Sequence, residues 1–361
     1  MVRILVEDDP YLRMVPAILD PDAPDDHRKA IADFVSHDVA DFAGWCRRVQ
    51  QTIPGLYPAK VEFAYEQDDL RAKLPLADGL IVEKFAIGEA ELALAPRLVG
   101  IVNFGTLMSN IDTAACERRG IPVASQARRV NVAVAEHAFA LMIALAKRLC
   151  DTAGVVEEVA LREAGFTPTP YDRRYTTNSN YGRIPNLRTL NGSVFGAIGM
   201  GEIGRNVARR AAAFGMTALY HQRHPMSDAD EQAYGAQFVS LEELLERSDF
   251  ISLHLPIDAG TKGIIDRKAL QTVKPGAILV NVARAQLVDR DALLEALDSG
   301  RLGGYGLDVG YDEPAKPGEP LLGFKNVILT PHTAVAGREN GLLDMEDVFA
   351  KLSRAMAARR K

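Results

Sequence analysis

Six short apolar runs follow one another after residue 190: "SVFGAIG", "TALYH", "FISLHL", "AILVNVA", "GYGLDV" and "NVILTP". They alternate with segments of helical period, which is the signature of a parallel sheet whose strands are joined by crossover helices. In "GEIGRNVARRAAAFGM", Ile203, Val207, Ala211 and Phe214 fall near one helical face, and Gly215 stands where the helix should end. "DRDALLEALDSG" repeats the scheme, with Asp289 as cap, Leu293, Leu294 and Leu297 as the apolar face and Gly300 as the stop.

A second, less regular series precedes it: "RILVE", "KVEFAY", "GLIVEKF" and "RLVGIVNFG", separated by polar stretches that can hold helices. At 361 residues the chain exceeds what one core usually organises, so two α/β domains are expected. Between the series runs the long, mostly apolar helix "VNVAVAEHAFALMIALAKRLC", then a polar, Pro-containing loop expected to wrap the surface. Residues 336–361 read as one more helix, which would return to pack on the first domain.

Charge and cysteine content exclude several functions. The net charge of −6 comes from interspersed acids and bases, which leaves neither a nucleic-acid face nor a polybasic membrane tail. Cys46, Cys116 and Cys150 show no paired spacing, which argues against a disulfide framework or a metal site. The start lacks the h-region of a signal peptide, and "AFALMIALA" falls short of the roughly 20 residues of a membrane span. A soluble, cytoplasmic protein is expected.

The strand "SVFGAIG" runs straight into Gly199, Met200, Gly201, Glu202, Ile203 and Gly204, and a helix follows. In that context a G-x-G-x-x-G turn points to a dinucleotide, because glycines allow close backbone approach and the helix N-terminus receives the pyrophosphate. The next strand normally ends in an acid that accepts hydrogen bonds from the ribose hydroxyls. Here it ends in Gln222 and Arg223, with His221 and His224 as further donors. A guanidinium beside a neutral amide accepts a 2′-phosphate that a carboxylate would repel, which favours NADP(H) over NAD(H). The alternative is a solvated Arg223, with ribose selection made elsewhere.

Three further strand ends carry polar groups. "LVNVARAQLVD" places Arg284 beyond one strand, "GLDVGYDEP" places Asp308 and Glu313 beyond the next, and "VILTPHTAVAG" places His332 beyond the last. Ligands of open α/β sheets sit outside the carboxyl ends of the strands, so these side chains are expected around one crevice. Singly, each reads as a surface ion pair or a structural histidine; together, downstream of a nucleotide turn, they suit 2-oxo acid chemistry.

From "GTLMSNIDTAACERRGIPV" to "TPHTAVAG" the chain resembles the D-isomer-specific 2-hydroxyacid dehydrogenase family. The resemblance rests on "NID" at Asn110 to Asp112, "VAEH" at Val134 to His137, the glycine turn, "SDFISLHLP", "VNVARAQLVDRDAL", "LDVGYDEP" and "TPH". It implies a doubly wound Rossmann-type domain at 111–334. A smaller flavodoxin-like substrate domain would be built from both termini, 1–110 and 335–361. The family's catalytic arginine, glutamate and histidine carry over to Arg284, Glu313 and His332. Reduction of a 2-oxo acid needs a cation for the carboxylate, a proton for the carbonyl oxygen and a hydride. Arg284 would supply the first, His332 the second, and Glu313 would orient the imidazole. The implied cofactor set adds Pro256, Ala283 and Asp308, the last toward the nicotinamide carboxamide. Lys84, Phe85 and Gly105 would meet the substrate, with backbone amides directed to its carboxylate.

The chain departs from the family at several points. Ala285 replaces the usual glycine after Arg284, which would be strained if that position needed positive φ. Leu107, Met108 and Ser109 stand where the family often has Gly, an aromatic and Asp. Arg128 and Arg129 occupy a usual turn, either toward an anionic substrate arm or as a solvated pair, the second being the expectation. The reading that follows is NADPH-dependent reduction of a glyoxylate- or hydroxypyruvate-like 2-oxo acid by a homodimer with "AVAEHAFALMIALAK" at its interface. NAD(H) stays open as cofactor. The rival of another class is a dinucleotide-sensing, corepressor-like binding protein. A formate-dehydrogenase-like activity is a closer rival, but those relatives carry Gln at the position of Glu313.

Overall fold

A computed structural model of the chain describes residues 1–359; residues 360 and 361, which close the expected C-terminal helix, lie outside them. The chain forms two compact units, residues 131–335 and the remainder on either side.

The first unit contains five parallel strands, β1 (Val2–Glu7), β2 (Ala59–Ala64), β3 (Gly79–Val82), β4 (Gly100–Asn103) and β5 (Val123–Ser125), in the order β2-β1-β3-β4-β5. This is the flavodoxin-like order. Residues along each strand alternate between two cores. Ile4, Val6, Ile81 and Val102 meet Leu342, Met345, Val348, Phe349 and Leu352 of the helix Glu339–Arg359. Leu5, Leu80, Val82 and Ile101 meet Leu70, Leu74, Leu92 and Ala115 on the other face. The returning C-terminal helix is therefore part of this core. The expected boundary at residue 110 is corrected: β5 pairs with β4 through Ile101–Val123 and Asn103–Ser125, so residues 111–130 belong to the first unit. Three half-buried residues, "VAS", carry too little apolar pattern to announce a strand.

The second unit contains β6 (Val194–Ile198), β7 (Thr217–His221), β8 (Ala236–Phe238), β9 (Phe250–Leu253), β10 (Ala277–Asn281), β11 (Leu302–Leu307) and β12 (Val327–Leu329). All pair in parallel, in the order β12-β11-β10-β9-β6-β7-β8. The helix Arg129–Lys147 is apolar and long enough by composition to cross a membrane, yet Ala135, Ala138, Met142 and Ala146 lie in the core against Phe195 and Ile278. The opposite sheet face is covered by the helix Arg290–Asp298, whose Leu293 and Leu297 are buried. Asp289 caps that helix by accepting the Ala292 N–H at 2.8 Å, and Gly300 follows it with φ of 70°, both at the positions expected.

Candidate active site

In the second sheet the chain leaves β6 in one direction for β7 and later returns to β9 on the other side, which opens a crevice at the carboxyl ends of these strands. The glycine turn fills its lip. Gly199 has φ of 99°, and a Cβ there would come 2.8 Å from the His254 carbonyl oxygen. A Cβ on Gly204 would lie 2.2 Å from the Gly199 carbonyl oxygen, so both positions exclude any side chain. A Cβ on Gly201 would meet nothing within 4 Å. That open side, at the N-terminus of the helix Glu202–Ala213, fits a pyrophosphate. Glu202 accepts from Asn131 Nδ2 at 2.6 Å, Ile203 is half-buried, and Met200 is buried.

The Met200 N–H donates to Gln222 Oε1 at 3.1 Å, and Gln222 Nε2 donates to the His224 carbonyl at 2.7 Å. Gln222 thus shapes the turn as well as leaving a carboxylate out. Arg223 is exposed, and its charge reaches Asp258 across the crevice mouth. The Asp258 carboxyl is held below its usual range, first by the Gly260 N–H and then by Thr261, with Arg223 adding to the effect. His221 is not a donor beside Arg223: its Nδ1 donates to the Val239 carbonyl at 3.0 Å and its ring stacks on Phe238. His254 was visible in the sequence only as part of a strand run. Both its ring nitrogens are enclosed without a partner, and burial pushes its pKa down to about 3, so a neutral imidazole underlies the turn.

Beyond β9, the exposed Pro256 accepts from Thr261 Oγ1 at 2.7 Å. Beyond β10, buried Asn281 brackets the loop that carries Arg284. Its Oδ1 accepts the Ala283 N–H at 3.0 Å and its Nδ2 donates to the Arg284 carbonyl at 2.8 Å. Arg284 is exposed, with extended backbone and Nη1 donating to the Ala283 carbonyl at 2.6 Å. Ala285 does not have positive φ; it is fully buried and begins a short 3₁₀ turn, so the strain considered at this position does not arise.

Asp308 ends β11 with only 1% of its surface exposed. Its Oδ1 accepts from Thr330 Oγ1 at 2.6 Å and from the Thr333 N–H at 2.8 Å, and its Oδ2 accepts the Ala334 N–H at 3.0 Å. Its carbonyl accepts the His332 N–H at 2.9 Å. The resemblance offers this carboxylate to the nicotinamide; its observed hydrogen bonds all go to the turn holding His332, whose φ is 55°. His137, from the "VAEH" stretch, joins the cluster with Nε2 at 3.0 Å from Thr330 Oγ1 and 3.4 Å from Asp308 Oδ1. The sequence pattern alone gives His137 no role. His332 Nδ1 and Glu313 Oε2 are 3.1 Å apart, and Glu313 Oε1 accepts the Gly310 N–H at 2.9 Å. Because β10, β11 and β12 are neighbours, Arg284, Asp308 and His332 follow three adjacent strand ends. A half-exposed imidazole held by a carboxylate can exchange a proton with a ligand.

In the first unit, Lys84 and Phe85 follow β3. Their amides are not open to a substrate carboxylate: Glu7 Oε2 accepts the N–H groups of Glu83, Lys84 and Phe85 at 2.7, 2.8 and 3.1 Å. The Lys84 side chain is exposed, and the Gly105 carbonyl accepts from Asn103 Nδ2 at 2.9 Å. Arg128 and Arg129 are not a solvated pair. Arg128 is 10% exposed against Glu83, and Arg129 bonds Asp344 and Asp347 at 2.8 Å.

The model of the D-isomer specific 2-hydroxyacid dehydrogenase NAD-binding domain matches residues 139–334. A glyoxylate reductase of Korarchaeum cryptofilum (strain OPF8) is 34% identical over 303 residues, spanning 81% of this chain and 86% of the relative. One from Thermococcus litoralis (strain ATCC 51850 / DSM 5473 / JCM 8560 / NS-C) is 38% identical over 247 residues, spanning 68% and 70%. Among solved structures, a glyoxylate reductase from Paecilomyes thermophila superimposes with TM-score 0.55 at 27% identity, covering 96% of this chain and 93% of that one. The chain belongs to the D-isomer specific 2-hydroxyacid dehydrogenase family. It is thus an NAD-binding oxidoreductase acting on the 2-oxo/2-hydroxy acid class.

Proposed function

We propose that this enzyme reduces a short 2-oxo acid of the glyoxylate or hydroxypyruvate kind at the expense of NADPH, with Arg284, Glu313 and His332 as its catalytic residues. The observation that carries the reading is the 3.1 Å contact between Glu313 and His332, at the sheet edge that also presents Arg284. The names of the similar glyoxylate reductases support the substrate class.

The turn Gly199–Gly204 receives the pyrophosphate, with Pro256, Ala283 and the Gln222–Arg223 pair around the rest of the dinucleotide. When bound, the nicotinamide supplies the hydride. Arg284 holds the substrate carboxylate and polarises the carbonyl. His332 Nε2 delivers a proton to the carbonyl oxygen, while Nδ1 stays on Glu313, whose charge orients the ring and balances the imidazolium. Asp308 and Asn281 fix the two loops on which His332 and Arg284 ride. Arg223 favours NADPH because it offers an exposed guanidinium where a ribose-binding acid would stand.

A homodimer fits the second unit. Val132 on the helix Arg129–Lys147 is 37% exposed, and Leu149, Val156, Val159, Tyr175 and Leu187 expose apolar surface along the segment that follows. A sedimentation experiment tests the assembly; a monomer at micromolar concentration refutes it.

The activity is tested by incubating purified protein with NADPH or NADH and a panel of 2-oxo acids. Faster oxidation of NADPH with glyoxylate or hydroxypyruvate is expected. Absence of turnover with every acid, together with cofactor-dependent capture of a protein partner, would favour the binding-protein alternative. Arg284→Ala should lower kcat/KM by on the order of 10²–10³-fold with little loss of dinucleotide affinity.

A further inference from the structure

The first unit has its own topological switch point. Its sheet order reverses between β1 and β3, and ligands of such sheets gather beyond the carboxyl ends of the strands at that place. What stands there is a cluster of charges. Arg128 Nη1 lies 3.1 Å from Glu83 Oε1 and Nη2 lies 4.0 Å from Asp9 Oδ2. The same guanidinium rests 4.3 Å from the Phe104 ring centre and 5.6 Å from that of Tyr11. Arg338 stacks on Phe34 at 4.2 Å and reaches the Tyr11 hydroxyl. Lys84 Nζ, at the rim, is 3.2 Å from Glu83.

Glu83 and Asp9 are shared between Arg128 and Lys84, and Glu7 is consumed by three backbone amides, which leaves the Arg338 guanidinium without a carboxylate of its own. Among the described residues Arg338 forms no ion pair; Asp38 accepts its backbone N–H at 2.6 Å instead of its guanidinium. Arg338 Nε is buried without a hydrogen-bond partner. A buried guanidinium N–H without an acceptor is costly, and an oxyanion arriving at this half-exposed side chain offsets that cost. The Tyr11 hydroxyl lies beside the Arg338 guanidinium and carries a proton that it can donate to the same anion.

We propose that Arg338, the Tyr11 hydroxyl and Lys84 form, within the first unit, an anion subsite for a carboxylate or phosphate group, so that a dianionic 2-oxo acid binds in preference to a monoanionic one. This rests on reading the first unit as the one that holds substrate. Arg128 is a positioning residue, which fixes Tyr11 and Phe104 from within.

The test is calorimetry on the full-length protein saturated with NADP⁺, which binds 2-oxo acids without turning them over. 2-Oxoglutarate is compared with 2-oxo-5-methylhexanoate, its uncharged match at the far end, and phosphonooxypyruvate with hydroxypyruvate. At least one dianion should bind about tenfold more tightly than its match, and Arg338→Gln should bring that ratio within about twofold. The pair that shows the preference tells carboxylate from phosphate. Arg338→Lys should keep part of it. Equal affinities in the wild type, no binding of any acid, or an undiminished ratio in Arg338→Gln would each overturn the subsite. Glyoxylate has no far end, so its turnover reports separately on the proposed reduction.

Discussion

Asn281 has no contact with any reacting atom in the scheme above, yet it holds both sides of the Arg284 peptide. Its two hydrogen bonds, to the Ala283 N–H and the Arg284 carbonyl, replace a helical or sheet ladder where the loop has none. Asn281→Ala should cost about 1–3 kcal/mol of stability, from buried polar groups left unpaired. It should also lower kcat more than dinucleotide affinity; single-turnover kinetics beside a cofactor titration would separate the two, and equal losses would mean a purely structural residue. At the proposed ribose site, Gln222→Asp combined with Arg223→Ala should move the NADPH-to-NADH ratio of kcat/KM toward NADH by about tenfold or more. An unchanged ratio would leave Arg223 as a surface residue. The strand-end side chains were legible in the sequence because turn chemistry and strand period locate them. Their partners were not: nothing in "TALYHQRH" says that the Gln222 amide turns back on Met200, or that His221 turns to the Val239 carbonyl.

Asp249 shows how one side chain ties several elements together. It precedes β9, and its carboxylate accepts the Val194 N–H at the start of β6 at 2.9 Å, with Lys274 at 2.7 Å and Arg188 at 3.4 Å. Burial works to raise the Asp249 pKa, but the hydrogen bonds from Lys274 and Val194 and the charges of Lys274 and Arg188 outweigh it and hold the carboxyl below its usual range. A depressed folded-state pKa means stability that is present above the unfolded value of ~3.9 and is lost as pH falls through the lower folded one. Asp249→Asn should therefore lower Tm at neutral pH, and the gap from wild type should close as the medium is acidified below about pH 4. A gap that stays constant in thermal melts down to pH 3 would assign the effect to packing. Elements of this second sheet were readable because its strands are buried on both faces and carry uninterrupted apolar runs. The shorter β5, half-buried throughout, escaped for the opposite reason, and the unit boundary was misplaced with it.

At the scale of the whole molecule, the two units differ in how their cores are closed. The first needs both ends of the chain: Leu342, Met345, Val348, Phe349 and Leu352 of the C-terminal helix lie against Ile4, Val6 and Ile81, so removing that helix strips one sheet face. The second is contiguous, residues 131–335, and both faces of its seven-stranded sheet are covered by its own helices. The glycine turn, Gln222, Arg223, Asn281, Arg284, Asp308, Glu313 and His332 are all contained in it. A fragment of residues 131–335 should therefore fold cooperatively and bind dinucleotide within about tenfold of the full-length affinity, yet show no preference for dianionic over monoanionic 2-oxo acids, since the proposed anion subsite belongs to the other unit. A chain ending at residue 335 should behave differently. Its first unit would lose its helix and unfold early, giving two separate transitions in calorimetry, the later one stabilised by added NADPH. If the fragment showed no cooperative transition, or if truncation melted both units together, the second core would not be self-sufficient, and its dinucleotide site would depend on the unit formed by the chain ends.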